Sequence, residues 1–74
     1  MTDSRQFVPE VEALARQEDG RTVLLAPAPG LWREGPSAGT LIRPGMAIGW
    51  LEQLGVLRRL LAPQQAIGVV VEGP

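Results

Sequence analysis

The hydroxyls of Ser4, Thr22, Ser37 and Thr40 are nucleophile candidates in this 74-residue chain, and each would need a neighbouring base to take its proton. The sequence contains no histidine, lysine or cysteine to provide one. Their absence also removes imidazole acid/base chemistry, thiol chemistry, disulfides and the common zinc patterns. Glu10 and Glu12 form the nearest approach to a carboxylate pair, in a segment that reads as solvent-facing and without an evident pocket. The remaining carboxylates lack the dense spacing of a calcium loop. Gly30, Gly35, Gly39, Gly45 and Gly49 make neither a Gly-x-Gly-x-x-Gly fingerprint nor a phosphate loop, which would also require lysine. The expectation is a chain that works without catalysis, cofactor or metal.

Binding chemistry is narrowed by charge. Seven arginines stand against eight Asp and Glu for a net charge of -1, and the longest basic run is Arg58-Arg59. Nucleic acid lacks its usual electrostatic footprint in such a chain. No charged segment leads into an apolar one at the N-terminus, and no apolar run reaches the roughly 18 residues of a membrane span. A soluble, cytoplasmic protein with no membrane partner is expected. A domain of this size buries only about 60% of its unfolded surface, so a protein partner or a homo-oligomer is the expected source of further stability.

The residues suited to such contacts are the two tryptophans, Trp32 and Trp50, which combine wide apolar area with an N–H donor. Both types of position, core and interface, suit them. Arg58 and Arg59 would point to opposite faces of a strand, so that one can meet a partner's carboxylate. Leu54, Gly55 and Val56 would form a small apolar docking knob if they lie at a turn. Glu52 completes the candidate interaction set.

Two regions must position these groups. Residues 1–20 read as an N-terminal arm or short amphipathic helix: over 7–18, Phe7 or Val8, Val11, Leu14 and Ala15 share a helical face, Pro9 suits a first turn, and Asp19-Gly20 suits a stop or turn. Residues 21–74 read as a β module, with short apolar runs divided by Gly and Pro. Strands are expected at 22–26, 31–33, 40–43, 46–52 and 66–71. Pro44-Gly45 matches the central positions of a type II turn. For residues 50–61 the pattern allows two readings, a hairpin with its tip at Gln53-Leu-Gly55 or a helix lined by Trp50, Leu51, Leu54, Leu57, Leu60 and Leu61. The helical reading would make the chain a small α+β adaptor.

The ordered series Ala26-Pro-Ala-Pro-Gly30, Ile42-Arg-Pro-Gly45 with Gly49, Leu51-Glu52-Gln-Leu-Gly55-Val56, Ala62-Pro63 and Gly68-Val69-Val70 resembles the biotinyl/lipoyl carrier domain family. The resemblance covers about two-thirds of the chain. It implies a mainly β fold, a small flattened barrel or barrel-sandwich hybrid, and it favours the hairpin over 50–61. In that family the hairpin tip of biotin carriers reads Glu-Ala-Met-Lys-Met. Glu52 matches its glutamate, Gln53 its alanine, Leu54 the first methionine, Gly55 the modified lysine and Val56 the second methionine. The departure falls on the modified residue, because glycine has no amine to join to biotin or lipoate.

Family members also continue beyond a turn like Glu72-Gly73 into a final pair of strands, so the barrel here is expected to be incomplete. An open edge of that kind invites self-association or docking to another chain, unless residues 1–20 cover it. The resemblance thus implies a degenerate carrier, serving as an interaction or assembly module accessory to a biotin-dependent carboxylase or acyltransferase subunit. A self-associating structural subunit is the alternative.

Overall fold

In the computed structural model, which describes residues 9–72, the chain is mainly β and contains eight short strands. They are β1 (Glu10–Glu12), β2 (Leu14–Glu18), β3 (Arg21–Leu25), β4 (Leu31–Arg33), β5 (Leu41–Ile42), β6 (Ala47–Gln53), β7 (Val56–Leu61) and β8 (Gly68–Val69). The largest sheet has the order β1-β7-β6-β4; β2 pairs with β3, and β5 pairs with β8. Among the described residues these three ladders stay open and no barrel closes. Among the described residues, no helix is long and apolar enough to cross a membrane.

The expected N-terminal helix is not formed. Phe7 and Val8 lie outside the described residues, while residues 10–18 are extended. A different but overlapping set alternates at a spacing of two: Val11, Ala13 and Ala15 turn inward, whereas Glu10, Glu12, Leu14 and Arg16 are exposed. The alternation prevails because two partners satisfy the extended backbone. β1 runs parallel to β7, with the Arg59 N–H donating to the Pro9 carbonyl at 2.8 Å and the Ala13 N–H to the Leu61 carbonyl at 2.9 Å. Beyond buried Ala13 the chain leaves that sheet and enters the β2–β3 hairpin. Asp19 and Gly20 both have positive φ, 50° and 78°, as a two-residue type I′ turn requires.

The hairpin reading of residues 50–61 holds, with no helix there. β6 and β7 are antiparallel and joined by Leu54-Gly55, which again carry positive φ values of 50° and 80°. The Pro44-Gly45 turn also forms: the Met46 N–H donates to the Arg43 carbonyl at 3.2 Å, and Gly45 has φ 82°. It is tied to the end of β7 by the Gly45 N–H to the Ala62 carbonyl and the Ala62 N–H to the Met46 carbonyl.

The core is thin. It consists of Ala13, Ile42, Ile48, Leu51, Leu60, Ala62 and Ala66, with Val11, Leu24, Ala26, Trp32, Met46 and Val70 packed around it. Ile48, Leu51 and Leu60 are its largest fully buried side chains, and two of them lie on the inner face of the β6–β7 pair after a bulge. Between Ala47 and Trp50 the register shifts: three steps along β6 oppose two along β7. Gly49 sits in that bulge with φ 127°, where a Cβ would stand 2.5 Å from the Arg33 carbonyl oxygen and 2.7 Å from Trp32 Nε1. Only glycine lets β4 and the Trp32 indole come so close.

Candidate interaction surface

Cross-strand partners share a face of a sheet, so the register assigns each candidate residue to a side. On the outer face of the large sheet, Glu10, Arg59, Trp50 and Arg33 form one row across four strands. The Arg59 guanidinium carbon lies 5.2 Å from the centroid of the Trp50 ring, and its Nη1 is 3.9 Å from Glu10 Oε2. The next row toward the tip is Leu31, Glu52 and Leu57. Arg33 pairs with Glu52 diagonally between the rows. Trp50, Glu52 and Arg59 are thus brought together, flanked by exposed Leu31 and Leu57.

Trp32 belongs to the other face, in a row with Leu51 and Arg58. Its indole N–H donates to the Ile48 carbonyl at 2.8 Å and its ring packs against the core. The two tryptophans therefore do not act on one surface. Arg58 and Arg59 are separated in the same way, as neighbours on a strand must be.

At the tip, Gln53 joins three segments. Its amide nitrogen donates to the Pro29 carbonyl at 2.8 Å, and its Oε1 accepts from Arg58 at 2.6 Å. The turn is thereby held from both strands and from the loop before β4. Beyond this brace stands Leu54, 103% exposed, with its backbone in the left-handed region. Both properties oppose leucine: the left-handed conformation costs a residue with a Cβ about 1–2 kcal/mol, and Asn or Asp is the usual occupant. The side chain gains no burial in return. Gly55 follows with open space around the position a Cβ would take. Val56, on the inner face, is half exposed.

A second feature was not legible from the sequence. An open groove of about 600 Å³ lies between Gly20–Leu24 and Ala66–Glu72, with Trp32, Pro36 and Ile42 contributing to its wall. Among the described residues, β3 is paired only with β2, and β8 only with β5. Ile67, Val69 and Val71 are exposed along this segment. Its signal in the sequence was the valine run, whose inward and outward sides could not be assigned before β5 and β8 were registered as Leu41 with Val69 and Ile42 with Gly68.

Among the described residues, no group of three or more acidic, histidine or cysteine side chains is placed to hold a metal ion. No family model, curated protein or solved structure matches this chain.

Proposed function

We propose that this chain is a non-catalytic protein-interaction module, derived from a biotinyl/lipoyl-like carrier domain, whose hairpin tip presents an apolar anchor in place of a modified lysine. The observation that carries the reading is Leu54. It occupies a turn position unfavourable to its backbone and a solvent position unfavourable to its side chain, on a tip braced by Gln53. A residue that violates local preference without a folding gain points to a role outside the fold. A rigid apolar tip loses little conformational entropy when it enters a partner's pocket.

The thin core and the exposed Leu31, Leu54, Val56 and Leu57 around one end support contact with protein rather than with a small ligand. In this reading the three open ladders are an unclosed variant of the family's flattened barrel, and the setting is cytoplasmic. The client suggested by the resemblance is a subunit of a biotin-dependent carboxylase or acyltransferase. Affinity capture from extract of the source cells tests it, using wild type and Leu54→Asn in parallel. Recovery of such a subunit by wild type and its loss with the variant is expected. An identical set of proteins on both would overturn the proposal.

A further inference from the structure

We infer that Met46 is a site of reversible oxidation, and that its sulfoxide opens the Arg43–Met46 turn and loosens the fold at the end of the β6–β7 pair opposite Leu54. The inference is independent of the reading of Leu54. The sequence holds no cysteine, so the thioethers of its two methionines, Met1 and Met46, are the groups that a peroxide oxidises most readily. Met46 is only half-buried, and Arg43 beside it is exposed. Three interactions of this one residue hold the turn. Its N–H donates to the Arg43 carbonyl at 3.2 Å, its Sδ accepts the Arg43 N–H at 3.2 Å, and its carbonyl accepts the Ala62 N–H at 2.9 Å. Arg43 and Met46 thus bond reciprocally around Pro44-Gly45, and the Gly45 N–H, donating to the Ala62 carbonyl at 2.8 Å, completes the tie to the end of β7. The turn links β5 to β6, its neighbours Ile42, Ile48 and Ala62 are core residues, and the Met46 side chain packs on that core.

Oxidation disturbs this arrangement whichever lone pair of the sulfur reacts. Hydrogen peroxide takes two electrons from the sulfur as its O–O bond breaks; one oxygen bonds to sulfur and the other leaves as water. On the lone pair that faces Arg43 the new oxygen has no room, because an N–H···O bond alone needs about 2.9 Å between nitrogen and oxygen, and the sulfur already stands 3.2 Å from that nitrogen. The sulfur has to retreat, and the turn opens. On the other lone pair the oxygen draws electron density from the sulfur, which then accepts the Arg43 N–H poorly, and a polar S=O is set against apolar packing. Both routes remove the reciprocal bond. A methionine sulfoxide reductase reverses the change, as two thiols become a disulfide and the oxygen leaves as water.

Hydrogen peroxide is the probe. Folded wild type treated with it should gain one oxygen at Met46 by peptide mass spectrometry. The thermal midpoint, followed by circular dichroism, should fall by roughly 4–8 °C, the scale on which a modest loss of stability appears in a domain of this size. Methionine sulfoxide reductase with dithiothreitol should restore it. Met46→Leu should keep its midpoint under the same treatment, and Met46→Gln, which sets a polar group at the same place, should show a lowered midpoint without peroxide. The inference is overturned if Met46 stays unmodified at a dose that fully oxidises free methionine, if the sulfoxide leaves the midpoint unchanged, or if the reductase does not restore it. It is also overturned if Met46→Leu loses as much under peroxide as wild type does, since the damage would then lie elsewhere. The wild-type results decide the matter by themselves if a substitution prevents folding.

Discussion

The guanidinium of Arg59 lies over the indole of Trp50, 5.2 Å from the ring centroid, because the two-residue turn at Leu54-Gly55 sets Gln53 opposite Val56 and so, three pairs along, Trp50 opposite Arg59. The bulge at Gly49 lies beyond this pair and shifts the register only toward Ala47 and Leu61. The contact is partly solvent-exposed and contributes about 0.5–1 kcal/mol. Arg59→Ala should therefore lower stability only slightly and shift tryptophan emission to the red as Trp50 gains water. Fluorescence and urea unfolding of the same sample check both effects.

Gly49 carries a larger share of the architecture. Replacing it with alanine pushes a methyl group against the Arg33 carbonyl and the Trp32 ring nitrogen, both backed by β4. The positive φ adds strain of its own. Gly49→Ala should cost about 3 kcal/mol, the combined scale of overpacking and backbone strain. A large fall in the urea midpoint is the expected result, and a midpoint near that of wild type would show that the bulge tolerates a Cβ.

Leu60 is fully buried on the inner face of β7, paired with Val11 of β1. Leu60→Ala should cost about 2–5 kcal/mol through lost burial and the cavity left behind. In a core of this size that is a large part of the total, since small domains hold roughly 0.05–0.15 kcal/mol per residue. Circular dichroism on heating should show a much lower or absent transition.

Much of the turn chemistry was legible in the sequence. Pro44-Gly45 forms as its residue types dictate, Gly55 marks the tip although Leu54 beside it opposes its own conformation, and Asp19-Gly20 provides a turn, although between strands. The N-terminal segment was not legible, because Val11, Leu14 and Ala15 fit a helical spacing while Val11, Ala13 and Ala15 fit an alternating one. The tie is broken by β7 and β3, which are distant in sequence or lie across the turn. The valine run predicted a strand over 66–71, yet only Gly68 and Val69 are strand, because β5 offers them only Leu41 and Ile42 as partners. Grouping Trp50 with Arg59 and separating it from Trp32 required the register, which the two-residue turn sets for β6 and β7 but which no local pattern announces for β4.

The resemblance to carrier domains can be tested at Gly55. A side chain there meets open space, and the positive φ makes lysine strained by about 1–2 kcal/mol without a clash. If the hairpin descends from a biotin carrier, Gly55→Lys restores Glu-Gln-Leu-Lys-Val at the tip, and incubation with a biotin protein ligase, ATP and biotin should add one biotinyl group by mass spectrometry. No modification of a variant that retains the wild-type circular dichroism would count against that descent.

The central claim, that Leu54 serves binding at the expense of the fold, is tested most directly by measuring thermal stability and client capture on the same preparation of Leu54→Asn. Asparagine followed by glycine is the preferred pair for a type I′ turn. The account predicts a variant about 1 kcal/mol more stable, with a midpoint roughly 4–8 °C higher, and with capture of the client lost. Lower stability with unchanged capture would contradict it, because Leu54 would then be supporting its own fold and nothing else.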